Sequence, residues 1–178
     1  SEKRHTLYVQ PLGDFTKTQH RIVRLTAEYM EHFFGLPTTV LERLPWPVLP
    51  LRARRKNSNS GQPQIHSGYV LTGILAPRLP ADAAAFIAFT AHDLWPGAGW
   101  NFVFGEASIR ERVGVWSLNR FGDADANRKS FRLTLLRTLK LAVHETGHMF
   151  SVQHCTAYEC VMGGTNSLEE TDRQPLWL

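Results

Sequence analysis

The stretch that decides the fold is His144-Glu145-Thr146-Gly147-His148-Met149-Phe150-Ser151-Val152-Gln153-His154. On a helix, residues four apart lie on one face, so His144 and His148 point the same way, one turn apart. Glu145 can reach the open position of a metal held by both imidazoles and act there on a bound water. His154 lies too far along the chain for the same face. The helix must therefore end, and the chain must turn back to bring His154 in.

Three nitrogen ligands with an open fourth position are typical of a catalytic zinc site, because structural zinc sites are closed by four protein ligands. The alternative is a helix with surface histidines, which has to explain three histidines and a glutamate at matching offsets. We therefore predict that His144, His148 and His154 bind a catalytic Zn2+ ion, with Glu145 as general base.

Ser151 departs from the metzincin pattern, which has glycine three residues after the second histidine. A sharp turn is expected there, and it predicts a left-handed backbone conformation. Serine in that conformation costs roughly 1 kcal/mol more than glycine. The alternative is a helix that ends by another route, near Gln153.

Composition favours one globular domain, 1–178, since the chain has 178 residues of which 43% are hydrophobic. A run of 18 apolar residues would mark a membrane span, and the sequence has none. Few cysteines and the lack of an apolar leader favour a cytoplasmic protein.

The net charge of +4 is mild, and much of it comes from Arg52, Arg54, Arg55 and Lys56. The polar run 57–61 follows, and this combination predicts a solvated, mobile loop. Nucleic-acid binding is disfavoured because neither interleaved aromatic residues nor a recognised motif accompanies the charges.

Strand and helix patterns alternate along the first half of the chain, which predicts an α/β layer with a largely parallel sheet. We predict strands at Thr6–Gln10, Thr38–Leu41, Ala84–Thr90, Asn101–Gly105 and Val113–Leu118, and helices from Thr16 or Thr18 to about Phe34 and at Ile65–Leu79. The last two strands form a hairpin around 110–112, and a sheet edge there would let an extended peptide add as a further strand.

Two more features of the sequence bear on the site, the helix that carries the histidines and a neighbouring His–Asp pair. Asn127 or Ser130 can cap the long helix that carries His144, with Leu139, Ala142 and Val143 among its inward positions. The neighbouring His92 and Asp93 suggest acid–base chemistry, but a hydrogen-bonded pair at a strand end is the favoured interpretation.

A cysteine pattern follows the third histidine: Cys155 comes directly after His154, Cys160 and Met162 come next, and the run 166–176 completes it. This pattern resembles the archaemetzincin family of zinc metalloproteases. The segments 11–13, 93–95, 100–108 and 113–117 also resemble that family, so the similarity spans most of the chain outside 52–64.

The resemblance implies a mixed α/β (α+β), metzincin-like fold: a twisted mixed sheet with an antiparallel edge strand, packed by two to three helices. An N-terminal subdomain, 1–150, would be followed by a small C-terminal subdomain, 151–178, with the active-site helix at about 128–152. His144, His148 and His154 would bind the catalytic zinc, with Glu145 as general acid and base. Met162 would form the Met turn beneath the metal.

The family also binds a second, structural zinc through four cysteines, two of which match Cys155 and Cys160. The other pair is expected where the sequence ends, at Leu178, and we expect a short further tail to carry it. Two cysteines do not close a tetrahedral site, so a disulfide, two free thiols or a zinc completed by other ligands are all open. A second zinc is expected only if the missing pair is present.

The predicted function is therefore zinc-dependent peptide hydrolysis through a zinc-activated water. The partner would be a peptide or protein substrate along an edge strand near 102–109 or 113–117, with neither nucleic acid nor membrane involved. The alternative is a zinc-binding protein with little or no proteolytic activity, acting as a binding or regulatory module. Glu145 argues against it, since such a site has no need of a carboxylate there.

Overall fold

A five-stranded mixed sheet forms the centre of the fold in the computed structural model, which describes residues 3–165 and 167–178. The strands of the described residues are β1 Thr6–Leu12, β2 Thr38–Val40, β3 Arg54–Lys56, β4 Pro63–His66, β5 Ala83–Thr90, β6 Asp93–Trp95, β7 Gly105–Ser108 and β8 Val113–Ser117. The central sheet has the order β2-β1-β5-β8-β7, and only its edge strand β7 runs antiparallel. Strands β3, β4 and β6 form a second, small sheet.

The main helices are α1 Lys17–Phe34, α2 Ser67–Tyr69, α3 Arg128–Met149 and α4 Leu168–Arg173. Helix α2 continues as a π-helix, Val70–Leu75, and a 3-10 turn, Ala76–Arg78. Thr16 caps α1 and Asn127 caps α3, as predicted, since their side chains accept from the backbone N–H groups of Gln19 and Ser130. Asn166, which opens the last run of the resemblance, lies outside the described residues.

Strand β5 is buried on both faces, as its continuous apolar run predicts. Ala85, Ile87 and Phe89 pack in the core layer that contains α1 and α3. Phe86 and Ala88 pack in the opposite layer, with the π-helical segment. The mixed α/β fold with an antiparallel edge strand is confirmed, whereas the division at 150 stays a prediction. Within the described chain, none of the helices has the length and apolar character needed to cross a membrane.

The prediction of a loop at the basic run is wrong for Arg54–Lys56. Residues Arg54–Lys56 form β3, which pairs antiparallel with β4. The Arg55 guanidinium lies 4.6 Å from the centre of the Trp95 ring, and its Nε donates to Gln64 Oε1 at 2.8 Å. Contacts with Trp95 and Gln64 therefore hold the Arg55 guanidinium, which the basic run alone predicts to be solvated.

Several boundaries differ from the predictions. Strand β1 continues through Pro11 to Leu12, and Ile65 belongs to β4, so the second helix begins only at Ser67. The strand predicted at Asn101–Gly105 begins at Gly105. There the Trp116 ring lies so close that a Cβ carbon on Gly105 would come within 2.4 Å of it. Glycine lets this indole lie flat against the start of the strand.

The side chains of His92 and Asp93 make separate contacts, so the predicted hydrogen-bonded pair does not form. The His92 ring packs against Trp46, with 4.1 Å between ring centres. Asp93, which is 1% exposed, accepts two hydrogen bonds of 2.8 Å from Arg120. His92 thus packs on the 3-10 turn that begins at Trp46, and Asp93 joins β6 to the 3-10 turn that contains Arg120.

Candidate metal centre

Helix α3 carries the first two histidines on one face. Its opposite face is anchored in the core by Leu139, Ala142 and Val143, the inward positions that the sequence predicts. The rings of His144 and His148 lie 4.6 Å apart, centre to centre. The metal-binding face therefore belongs to a helix whose position is set by packing.

The chain reverses at Ser151, which has a φ of +66°. This confirms the left-handed conformation, and a helix ending near Gln153 is wrong because α3 ends at Met149. The turn brings the His154 ring to 4.7 Å from that of His148 and 5.2 Å from that of His144. One nitrogen from each ring lies within 4.8 Å of the others, so the three histidines could hold one metal ion.

Hydrogen bonds at the other ring nitrogens define which tautomers are present. His144 Nδ1 lies 2.8 Å from the Val161 carbonyl oxygen, and His148 Nδ1 lies 2.8 Å from the Val152 carbonyl oxygen. Carbonyl oxygens only accept, so each Nδ1 carries the hydrogen and each Nε2 keeps its lone pair. These two Nε2 atoms lie 3.0 Å apart. Two lone pairs so close repel each other unless a cation lies between them, which is the arrangement a zinc ion needs.

The protonation states suit a metal as well. Burial lowers the pKa of His144, and the neighbouring His148 lowers it further, against the opposing effect of the Val161 carbonyl. A neutral imidazole is the form that binds a metal. Glu145 is half-buried, and burial raises the pKa of its carboxyl group, while His148 and His154 oppose that shift.

Met162 lies against the helix that carries the histidines. It is 2% exposed, and a Cβ carbon on Gly147 would come within 2.7 Å of its sulfur. Its backbone carbonyl accepts from the N–H of Cys155 at 2.9 Å, and the preceding carbonyl, of Val161, orients His144. One short segment thus supports the helix, the first histidine and the residue that follows the third.

Cys155 and Cys160 are free thiols in this structure, with no disulfide between them. The backbone N–H groups of Tyr158 and Ala157, and then the Cys160 thiol, lower the pKa of Cys155. Burial, followed by the contact with Cys155, raises the pKa of the Cys160 thiol. The two side chains therefore lie together directly behind the third histidine.

The histidines open into a cleft of about 790 Å³ between α3 and the segment that leads into α4. Aromatic residues 102, 104 and 121 form a third wall, and Phe104 stacks on Phe121 with 5.7 Å between ring centres. Arg137 and Lys140 also line it. Neither residue was predicted from the sequence, although they stand seven and four residues before His144 and so lie on the same face of the helix.

Comparison with known proteins supports this geometry. Residues 85–176 match the model of peptidase family M54. The chain is 34% identical to archaemetzincin-2 of Homo sapiens over 99% of its own length and 57% of that protein. It is 31% identical to the archaemetzincin of Archaeoglobus fulgidus, over 96% of the chain and 91% of that protein. The chain thus spans a little more than half of the mammalian relatives it matches.

Solved structures show the same fold. The archaemetzincin of Archaeoglobus fulgidus, complexed with malonate, superposes with a TM-score of 0.71 at 28% identity, covering 97% of this chain and 94% of that one. The archaemetzincin of Methanopyrus kandleri superposes with a TM-score of 0.73 at 27% identity, covering 98% and 89%.

Proposed function

This chain belongs to the archaemetzincin family, peptidase family M54, and on that premise we propose that it hydrolyses peptide bonds as a zinc-dependent metallopeptidase. The observation that carries the proposal is the position of His144 Nε2 and His148 Nε2, which lie 3.0 Å apart on α3, each with a lone pair. A ring nitrogen of His154 completes the set of three. His144, His148 and His154 would hold the zinc. When bound, zinc polarises a carbonyl and lowers the pKa of a coordinated water towards 7.

Glu145 supplies the proton transfers. Its carboxylate accepts a proton from the attacking water and then donates it to the amine that leaves. Burial raises the pKa of this carboxyl group, which makes its protonated form easier to reach after the first transfer. Glu145 lines the same cleft as the three histidines, as both steps require.

The substrate would bind along β7 as an extended strand. Because β7 is the edge of the central sheet, one of its sides has no strand beside it among the described residues, and a peptide could add there as a further strand. Strand β8, which contains residues 113–117, pairs with β5 on one side and β7 on the other, so a substrate strand cannot add to it and that alternative is wrong. We therefore propose the other alternative, residues 102–109. Gly105, in the same strand, lines the cleft.

The proposal also covers the number of zinc ions and the residues that would hold them. We propose one zinc at the histidines of this chain, with Met162 as the floor of the site. Cys155 and Cys160 would contribute to a second zinc only where further ligands complete it. A cytoplasmic location and the lack of a nucleic-acid partner stay predictions.

The test is cleavage of a mixed peptide library by the zinc-loaded protein, by the same protein with a chelator, and by Glu145→Gln. We expect the wild type to cleave and the chelator to abolish cleavage. Glu145→Gln should retain zinc and lose about a thousandfold in kcat/KM, since it cannot take up the proton. Equal behaviour of the wild type and Glu145→Gln would instead favour a zinc-binding module without proteolysis.

A further inference from the structure

Lys140 is a buried cation on the face of α3 that carries the metal-binding histidines. It is only 6% exposed, yet it lines the cleft. It precedes His144 by one helical turn, which places the two Cα atoms about 6 Å apart along the helix axis. A charge buried this deeply is costly unless a partner compensates it.

The chain itself supplies only part of that compensation. Lys140 Nζ donates to the backbone carbonyl oxygens of Thr171 at 2.8 Å and Asp172 at 3.0 Å. An ammonium group has three N–H donors, so one is left. Within residues 3–165 and 167–178, no carboxylate forms an ion pair with it.

The nearest carboxylate is already engaged. Both oxygens of Asp172 accept from Arg137, at 2.7 and 2.6 Å. The Asp172 charge also acts on Lys140, but both oxygens of Asp172 are bonded to Arg137. Among the described residues, Lys140 therefore has no carboxylate in direct contact. Glu145 is the acidic residue that lines the cleft. It lies five residues along the helix, on another part of its circumference.

The surroundings of Lys140 reduce the screening of its charge. Phe102, Phe104 and Phe121 give the cleft a third wall with apolar side chains. An electrostatic contact beside apolar side chains is screened less than the same contact at the surface. The cleft therefore has apolar side chains on one wall and the Lys140 ammonium group on another.

We propose that Lys140 determines specificity by binding a carboxylate of the substrate close to the scissile bond. The carboxylate is either the side chain of an aspartate or glutamate or the C-terminal carboxylate of a short peptide. Lys140 donates its remaining N–H to this group and forms the ion pair that the chain does not provide. This inference rests on the proposed peptidase function, since it names the substrate class of the same cleft.

The test compares matched peptides that differ only in Glu or Gln at each position around the cleaved bond, each made with a free or an amidated C-terminus. The ratio of kcat/KM, carboxylate over neutral, is measured for the zinc-loaded wild type, Lys140→Gln, Lys140→Arg and Lys129→Gln. Lys129 is an exposed lysine of the same helix and serves as the control. We expect a ratio of about tenfold or more for the wild type and the control.

Lys140→Gln should bring that ratio to within about twofold of one, and Lys140→Arg should retain a preference because it keeps the charge. A merely structural lysine would change the activity on both peptides alike and leave the ratio intact. Preference for the free C-terminus over the amide identifies the chain end as the source, and preference for Glu identifies the side chain. Lys140→Met replaces Lys140→Gln if the latter does not fold.

A wild-type ratio near one for both carboxylate sources overturns the inference, as does a preference that survives in Lys140→Gln. Either result leaves the peptidase function standing. If no peptide is cleaved, the proposed function fails, and fluorescence anisotropy of the same labelled peptides decides the carboxylate question. Equal dissociation constants for Glu and Gln peptides would then overturn it.

Discussion

The backbone N–H of Ser151 donates to the carbonyl oxygen of His148 at 2.9 Å, and this bond closes the end of α3. The N–H of Val152 donates to Gly147 at 3.0 Å. Together the two bonds form a Schellman motif, with Ser151 at the left-handed position that glycine usually fills. Val152 then offers its carbonyl oxygen to His148 Nδ1. The turn that ends the helix thus also orients a metal-binding ring.

Ser151→Gly should stabilise the protein, because glycine adopts a φ of +66° without the steric cost that serine pays. We expect the free energy of unfolding to rise by about 1 kcal/mol, measured by urea denaturation. Ser151→Ala is the matched control, since it removes the hydroxyl but keeps the Cβ carbon. It should stay close to the wild type, and an equal gain for both variants would contradict the strain account.

Gly147→Ala should weaken both the fold and the metal site. The new Cβ carbon would lie 2.7 Å from the Met162 sulfur, and Met162 is too buried to swing into solvent. We expect a loss of about 1–3 kcal/mol in unfolding free energy. Zinc affinity should fall too, since movement of this segment displaces the Val161 carbonyl from His144. In a Met162→Ala background the same substitution should cost clearly less, and an unchanged cost would refute the contact.

The clustering of the three histidines was predictable from the sequence, because two of them depend only on helical spacing. The third depends on a turn whose conformation the sequence also indicates at Ser151. Helical spacing places Lys140 on the same face as His144, but its burial was not predictable, because the carbonyl oxygens that it contacts belong to α4, about thirty residues later. Its burial is a product of tertiary packing, and local spacing carries no signal for it.

Contacts with residues distant in sequence also explain why the prediction of a loop failed at Arg54 and Arg55. A run of basic residues is typical of a solvated loop, yet Trp46 and Trp95 cover these two guanidinium groups. Trp95 is some forty residues away in sequence, so nothing in the basic run itself indicates the contact. The fold class, by contrast, followed from β5, whose unbroken apolar run requires cover on both faces.

Removal of the metal should destabilise the site, because His144 and His148 then face each other with unshared lone pairs. We expect zinc to raise Tm in proportion to the logarithm of its concentration above Kd, since it binds the folded state. His154→Ala should reduce this shift by removing one ligand, whereas His20→Ala, on α1, should leave it unchanged. A zinc-dependent shift of equal size in His154→Ala would contradict the three-histidine site.

Asp93→Asn should destabilise the cleft wall. The buried Asp93 holds Arg120 through two hydrogen bonds, and the Arg120 guanidinium lies 3.4 Å from the centre of the Phe102 ring. Loss of the charge leaves Arg120 without its partner, so we expect a cost of about 2–3 kcal/mol by urea denaturation. Asp123→Asn, at an exposed acidic residue, is the control. A cost below about 0.5 kcal/mol would show that the pair does not support the wall.

The Arg137–Asp172 pair joins α3 to α4 across the cleft. The hydrogen bonds from Arg137 lower the pKa of Asp172 below its ordinary value of 3.8, against the opposing effect of burial. The pair is partly exposed, with 15% of the arginine side chain and 30% of the aspartate accessible. Solvent screening therefore limits its contribution to about 1 kcal/mol.

Asp172→Asn should cost that amount at neutral pH and less in acid. A carboxyl group whose pKa is lower in the folded state contributes its full stability above the unfolded pKa and loses it as the pH falls through the folded pKa. The difference in unfolding free energy between wild type and Asp172→Asn should thus be constant from pH 7 to about 5 and shrink below about 4. Urea denaturation across this range measures it. A difference that grows towards acid would reverse the sign and refute the role assigned to Arg137.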